Sequence, residues 1–240
     1  MPPKLYGWQH LTYLAIFASL LVALIVITKF FIKTDKAKTI LIKSVAGVLL
    51  VCVLLNRVSI AFRFNDVFMF IPNSYCGVTS LVLSICVLAL KPNSKAFHFL
   101  WYMGFVGGLA TMLYPDFLGQ HISFWYVPTI SGLLHHSVLL TLCILMLQTK
   151  WFSPSLKNWW IFPVGMSVYT LYGLFLMDIF NWGDAMSINS SLIDGTPLNW
   201  WFILIVGTVL LVGVLYLAQL ISSRKSKKLT ANASQPSDNN

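Results

Sequence analysis

The chain of 240 residues is 58% hydrophobic and only 10% charged, and its mean hydropathy is +0.77. This composition excludes an ordinary soluble globular domain and is typical of a protein that crosses a membrane several times. The formal net charge of +9 would by itself also fit a nucleic-acid-binding protein. Because most of the basic residues lie at or near the ends of the apolar segments, on one side of the predicted membrane domain, we expect no nucleic-acid partner and expect contacts with membrane lipids instead.

Seven apolar segments follow one another along the chain, each with about the 17–25 residues that a helix needs to cross the hydrocarbon core. They cover roughly residues 11–32, 40–60, 69–90, 97–114, 124–147, 159–180 and 199–222. In lipid every backbone polar group needs an internal partner, so only helices or a closed barrel can span the membrane. Continuous apolar runs without period-two alternation favour helices. The sequence therefore predicts an all-α fold, a polytopic bundle of seven transmembrane helices.

The predicted bundle forms a single domain over residues 1–222. The remaining residues, 223–240, begin basic and end polar, and we expect them to form a disordered cytoplasmic tail. The longest connection, about Asn181 to Asn199, is predicted to be an outside loop or a partial lid. Gly104 and Gly108 form a small-xxx-small step in the fourth segment, which indicates close packing between helices. No residue pattern predicts a cofactor or a metal site.

The charged residues indicate how the bundle is oriented. Of the 16 basic residues, 13 lie at the first, third and fifth connections or after the seventh segment, whereas five of the seven acidic residues lie on the other side. Basic residues accumulate on the cytoplasmic side of membrane proteins. The sequence therefore predicts an N-terminus outside, a C-terminus inside, and a multi-pass protein of the cell membrane.

Two adjacent histidines, His135 and His136, lie in the middle of the fifth apolar segment. Titratable side chains at this depth are costly, and they usually face a protein interior or a wet cavity and mark a functional site. At 1.5 Å per residue, His136 would lie roughly 18 Å from the outer end of its helix. The alternative interpretation is that both are interior histidines bonded to a neighbouring helix.

Cys76, in the third segment, would lie roughly 10 Å from the outer end by the same rule. A thiol and an imidazole can form a nucleophile–base pair, because the imidazole generates the reactive thiolate. The alternative for Cys76 is a packed small side chain. Other polar residues are predicted in the same outer half: His10, Asn56, Arg57, Asn73, Ser74, Asp116, Tyr172 and Asp178. They indicate either a cavity open to the outside or simply polar helix ends.

Three sequence elements resemble those of a known family. The stretch Phe70–Cys76, F-I-P-N-S-Y-C, is similar to the L-P-x-H-x-C element of YwaF-type integral membrane proteins. Phe99–Phe117 is similar to the family element W-Y-x-G-x-x-G-x-x-x-x-x-x-x-P-D-L, and Phe124–Ser137 loosely resembles a third element, with His136 at the family-type histidine position. The resemblance covers about residues 40–220 and extends distantly to the transmembrane protein 164 acyltransferase group.

This resemblance implies a lipid acyltransferase that works through a thioester on Cys76, with His136 as the base and a phospholipid or acyl substrate. Ser74 stands where the family has a histidine two residues before the cysteine. We group with the catalytic pair a set of supporting residues: His135, Ser74, Asn73, Asp116, Tyr172 and Asp178.

Two other classes of function stay open. A small-solute or proton-coupled transporter would use the histidines and Asp178 as a relay, and it would need a path from both sides of the membrane. A non-catalytic membrane subunit would have a polar cluster without a cavity. A retinal-type receptor is excluded, because the seventh segment from Asn199 to Ile221 contains no lysine. The sequence predicts no particular oligomeric state.

Overall fold

The structure, a computed structural model, describes residues 3–115, 117–118, 122–193 and 195–233, with side chains described as far as residue 221. Over these residues the chain forms seven α-helices and no β-strand, which confirms the predicted all-α fold. The helices are α1 (Trp8–Phe31), α2 (Asp35–Phe64), α3 (Tyr75–Ala89), α4 (Phe97–Leu113), α5 (Val127–Gln148), α6 (Ile161–Phe180) and α7 (Trp200–Ala233).

Five of these helices, α1, α2, α5, α6 and α7, are long and apolar enough to cross a membrane. The other two, α3 and α4, are apolar but have only 15 and 17 residues. At 1.5 Å per residue they are about 22 and 25 Å long, which is less than the hydrocarbon core of about 30 Å. That all seven helices cross the membrane, and in which orientation, therefore stays a prediction.

The third helix begins later than the hydropathy pattern predicted. Val67–Phe70 forms a separate 3-10 turn, and α3 begins only at Tyr75. Its start is set by Ser74, whose hydroxyl accepts a hydrogen bond from the Gly77 N–H at 3.3 Å and caps the helix. Cys76 is therefore the second residue of α3, and the expectation that it lies roughly 10 Å from the end of its helix is wrong.

Contacts at the two ends of the bundle show that α1 runs antiparallel to α4 and parallel to α5. At one end a ring nitrogen of His10 lies 3.2 Å from the carbonyl oxygen of Met112, so the start of α1 lies beside the end of α4. At the other end the Gln148 side-chain amide donates to the carbonyl of Ile25 at 2.7 Å, so α1 and α5 end together. We call these the His10 end and the Gln148 end.

The fifth helix lies at the centre of the bundle, and α1 and α7 lie at its edge. Along α5 the side chains of Leu139, Leu142 and Met146 have no exposed surface. On α1, by contrast, Trp8 is 75% exposed and Phe31 is 78% exposed. Large apolar side chains facing outward along a whole helix suit contact with lipid rather than with water.

Small residues bring α4 into close contact with α5, as the Gly104–Gly108 spacing predicted. A methyl group on Gly104 would lie 3.1 Å from the Cys143 sulfur, and one on Gly108 would lie 3.3 Å from the Leu140 Cβ. Beside this contact the Trp101 indole N–H donates to the Cys143 carbonyl at 2.8 Å. The close approach leaves α4 and α5 packed nearly backbone to backbone.

The connection between α6 and α7 returns to the start of α3. The Met186 N–H donates to the Asn73 carbonyl at 2.8 Å, and the Trp200 N–H donates to the Ser187 carbonyl at 3.2 Å. Met186 is almost fully buried. The predicted outside loop is thus attached to the segment that carries Cys76.

The last helix is longer than predicted. It continues to Ala233, so residues 223–233 of the expected disordered tail are helical. The rest of that tail, residues 234–240, lies outside the described residues.

Candidate functional site

Cys76 lies at the His10 end, between α3 and α4. Its sulfur would be 2.9 Å from a methyl group on Gly107, and it lies 3.9 Å from the Thr111 hydroxyl, a distance typical of a weak sulfur hydrogen bond. Both α4 residues are within two turns of the end of that helix at Leu113. The cysteine is partly exposed, so its thiol is enclosed on the α4 side without being sealed from its surroundings.

His136 reaches the same level of α4 from the other side. Its carbonyl oxygen would be 3.4 Å from a methyl group on Gly108, the residue that follows the contact of Cys76. The side chain is 5% exposed, and its Nδ1 has no hydrogen-bond partner among the described residues. The structure therefore brings Cys76 and His136 to adjacent residues of one helix, with no hydrogen bond between this nitrogen and the sulfur.

His135 is buried beside His136, with the two ring centroids 3.9 Å apart. Its Nδ1 lies 3.3 Å from the carbonyl oxygen of Ser131, and because a carbonyl can only accept, Nδ1 is the donor. In a neutral imidazole the other nitrogen then carries a lone pair. This nitrogen, Nε2, is buried with no partner in the described part of the chain. His135 was predicted to be a supporting residue, yet it holds an unpartnered basic nitrogen.

Arg57 on α2 was not selected from the sequence as a site residue, although it lies at the same centre. It is seven residues from the end of the helix at Phe64, and it interacts electrostatically with His135 and with Tyr172. Its Nε is buried without a partner, and no carboxylate of a described residue forms an ion pair with it.

A buried guanidinium nitrogen without a partner is costly unless an anion or water satisfies it. The sequence did hold a signal for this residue. A single arginine seven residues inside an apolar helix lies about 10 Å from its end at 1.5 Å per residue, too deep for an ordinary interfacial anchor.

Asn56, beside Arg57, ties α2 to α5. Its side-chain amide donates to the Ser131 hydroxyl at 3.1 Å, one turn before His135. Ser131 in turn donates to the Val127 carbonyl at 2.6 Å. These polar groups are satisfied by each other, so the unpartnered atoms of this region belong to the guanidinium and the imidazoles rather than to the amide.

Three of the predicted supporting residues organise the backbone that carries the cysteine. Ser74 caps α3, and the carbonyl of Asn73 accepts from Met186 at 2.8 Å. The Tyr172 hydroxyl donates to the Pro72 carbonyl at 2.9 Å and links α6 to the same segment. Ser74 and Tyr172 therefore hold the start of α3 through their side chains, whereas Asn73 does so through its backbone.

Of the two predicted acidic residues, the structure describes only Asp178. Asp178 is exposed on α6, and it has no hydrogen bond or ion pair with any residue that the structure describes. Its predicted supporting role stays a prediction. Asp116 lies outside the described residues, so its predicted supporting role stays a prediction.

The fold and the site together define a class of protein. A bundle of apolar helices, five of them long enough to span a bilayer, surrounds a centre of two buried histidines, a partly exposed cysteine and a partly buried arginine. This is a helical, multi-pass integral membrane protein with a polar centre in the half of the bundle nearest the His10 end.

A comparison with protein families makes the class more specific. The model of the TMEM164 family matches residues 5–218, nearly the whole chain, and the chain belongs to this family. The predicted distant relationship to transmembrane protein 164 is thereby confirmed, whereas the YwaF-type subgroup stays a prediction. Neither the curated proteins nor the solved structures contain a match.

Proposed function

We propose that the chain is a membrane acyltransferase that moves an acyl group between lipids through a thioester on Cys76, with His136 as the base. The observation that carries this proposal is the placement of the two residues against Gly107 and Gly108, adjacent positions of α4. A cysteine and a histidine that approach neighbouring residues of one helix, the first through its side chain and the second through its backbone, and that are enclosed by apolar helices, suit acyl transfer from a lipid. The resemblance to lipid acyltransferases points to the same chemistry.

The proposed acyl transfer takes place in two steps. In the first, the imidazole takes the thiol proton, and the sulfur attacks the ester carbonyl of a phospholipid; the C–O bond breaks, the leaving alcohol takes the proton, and the acyl group stays on sulfur. In the second, the hydroxyl of an acceptor lysolipid gives its proton to the imidazole and attacks the thioester. The C–S bond breaks and the thiolate regains the proton.

His136 lies about 13 Å from the start of α5 at 1.5 Å per residue. Its Nδ1 has no partner among the described residues, so this nitrogen is available for proton transfer. The Cys76 sulfur pairs with Thr111 in the resting arrangement. Hydrogen bonds of catalytic groups often form only in the complex with substrate, so we propose that lipid entry replaces the Thr111 contact. His135, in ring contact with His136, then supports the orientation of the base.

Arg57 supplies the group that would hold the lipid phosphate. Its buried Nε lacks a partner, and charge-assisted hydrogen bonds from a guanidinium to a phosphate are among the strongest in proteins. Arg57 is close enough to His135 for their charges to interact, which supports an anion site near the histidine pair. The same interaction would orient a phospholipid with its ester groups next to the cysteine.

We further propose that all seven helices cross the cell membrane, with the N-terminus outside. Consecutive antiparallel helices and the accumulation of lysines at the Gln148 end support this orientation. The site then opens toward the outer leaflet. The residues before α3, including the 3-10 turn Val67–Phe70, would occupy the membrane depth that the short helix leaves unfilled.

The test is acyl labelling of the purified protein in lipid nanodiscs with a phospholipid that carries an alkyne-tagged acyl chain. We expect a hydroxylamine-sensitive label on the wild type that disappears in Cys76→Ala. Cys86→Ala is the matched control, because this cysteine lies on the same helix and is also partly exposed. Equal labelling of Cys76→Ala, or no label on a folded wild type with any phospholipid, would overturn the proposal.

A further inference from the structure

A cavity of about 420 Å³ lies at the Gln148 end, where α1 and α5 end and α2 begins. Three lysines and three neutral polar residues line it: Lys29, Lys33, Lys38, Thr28, Gln148 and Thr149. The volume is in the range of small-molecule sites in proteins. The cavity is at the opposite end of the bundle from Cys76, and it is therefore separate from the proposed acyl-transfer site.

The cavity is positively charged. Lys38 pairs with Asp35 at 3.0 Å, but this carboxylate is almost fully exposed. Lys33 donates to the carbonyl of Lys29 at 2.7 Å, which holds its ammonium group at the end of α1. Three ammonium groups and one carboxylate leave an excess of two positive charges around the opening. An anion in the cavity would be attracted electrostatically by all three lysine side chains at once.

Two residues of the wall each carry a buried polar atom that has no partner among the described residues. The first is the hydroxyl of Thr28, a residue that is 4% exposed, and the second is the side-chain oxygen of Gln148. The orientation of the Gln148 amide is determined, because its nitrogen donates to the Ile25 carbonyl at 2.7 Å. Thr149, by contrast, is satisfied by the Leu145 carbonyl. Buried polar atoms are nearly always paired, so a ligand that donates a hydrogen bond to the Gln148 side-chain oxygen would satisfy it.

We propose that this cavity binds the headgroup of an anionic phospholipid that carries free hydroxyl groups, of the phosphatidylglycerol type. The phosphodiester would pair with the lysines, and the glycerol hydroxyls would donate to Gln148 and bond with Thr28. A choline headgroup fits poorly, because it has no hydroxyl and its ammonium group would meet three like charges.

The position of the cavity favours a lipid over a soluble anion. Its wall includes Ile32, and the preceding Phe31 is 78% exposed at the end of an apolar helix. Acyl chains attached to a headgroup in the cavity could run along this outward-facing surface of α1. A free sugar phosphate or a nucleic acid would gain nothing from it.

The experiment titrates the full-length protein, purified in detergent, with lipids of identical acyl chains and counts bound lipids by native mass spectrometry. We expect phosphatidylglycerol to bind at least about tenfold more tightly than phosphatidylcholine. Changing Lys29, Lys33 and Lys38 together to Gln should weaken that binding about a hundredfold, because each basic residue near an anionic headgroup contributes about a factor of five. The matched control changes Lys91, Lys95 and Lys157 to Gln, which removes equal charge at the same end and should alter binding less than about twofold.

A second variant separates recognition of the hydroxyls from recognition of the phosphate. Gln148→Leu should abolish the preference for phosphatidylglycerol over phosphatidic acid, which lacks the glycerol hydroxyls, while binding of phosphatidic acid persists. Free glycerol phosphate is the probe for a soluble ligand. Equal binding of phosphatidylglycerol and phosphatidylcholine, equal losses in the two triple variants, or free glycerol phosphate bound as tightly as the lipid would each overturn the proposal. If the triple variant does not fold, the comparison of these ligands on the wild-type protein still tests the proposal.

Discussion

A methyl group on Gly107 would lie 2.9 Å from the sulfur of Cys76, so α4 has no room for a side chain at this position. The missing side chain lets the start of α3 lie directly on α4, one residue from the place where α5 brings His136. The approach of Cys76 to the part of α4 that the His136 backbone contacts thus depends on a glycine that belongs to neither α3 nor α5.

Gly107→Ala should therefore reduce acyl labelling of Cys76 by at least about tenfold, because the new Cβ displaces the sulfur or the start of α3 and a misplacement of 1 Å can cost a hundredfold in rate. Labelling kinetics at a fixed lipid concentration measure the effect. Gly47→Ala is the control. That glycine is in a helix, and a methyl group on it would have nothing within 4 Å, so the change should leave labelling intact and stabilise α2 by up to about 1 kcal/mol. Unchanged labelling of Gly107→Ala would show that the sulfur does not react from this position.

The two histidines should differ in kinetics. Removing a general base typically costs about 10²–10⁴-fold in rate, so His136→Gln should lose at least about a hundredfold in the rate of thioester formation. His135→Gln should lose less, since His135 acts on the orientation of the base. Single-turnover labelling separates the two variants. If the losses are reversed, the base is the unpartnered Nε2 of His135.

Arg57→Gln should weaken the use of phospholipid substrates without weakening the use of acyl donors that lack a phosphate. The expected loss is about tenfold or more in apparent affinity, because a charge-assisted hydrogen bond is replaced by a neutral one. Competition between a phospholipid and a diacylglycerol of the same chains measures it. Arg57→Lys keeps the charge but not the planar fork of the guanidinium, so its affinity for the phospholipid should lie between those of the wild type and Arg57→Gln. A parallel loss with both donors would mean that Arg57 supports the fold rather than the phosphate.

Ser74→Ala should destabilise the protein by about 0.5–2 kcal/mol, because the Gly77 N–H loses its capping acceptor. Thermal unfolding in detergent, followed by tryptophan fluorescence, measures the change. Ser74→Asn keeps a capping side chain and should retain most of the stability. If alanine and asparagine have the same effect, the hydroxyl has a different role from the capping bond at 3.3 Å.

Gly165→Ala should be far more damaging than an average substitution. A methyl group there would overlap the ring of Phe99, a residue that is 6% exposed in the core, and overpacking of a core typically costs about 1–3 kcal/mol or more. The same thermal assay provides the readout. Gly213→Ala, at a position of α7 with nothing within 4 Å of the methyl, should be neutral or mildly stabilising. A stable Gly165→Ala variant would show that Phe99 has room to move.

Parts of the site could be predicted because they depend on chemistry that residue types carry by themselves. Cys76 and the histidine pair stand out in any apolar segment, whatever their neighbours are. Arg57 was missed as a site residue because its importance comes from having no ion-pair partner among the described residues, and that depends on which helices surround it. Asp178 was included from its sequence position alone, although α6 turns it outward.

The sequence by itself determined that the chain is a bundle of apolar helices, since lipid leaves the backbone no other way to satisfy its polar groups than helices or a barrel. Each predicted segment corresponds to one of the seven helices. The bounds differ by at most about five residues, except at the start of α3 and the end of α7. Only the tertiary structure decided which faces meet, because hydrophobicity in these helices runs all the way round and does not single out the buried side. The close contact at Gly107, the Arg57 Nε without a partner among the described residues and the cavity beside Gln148 all follow from that packing.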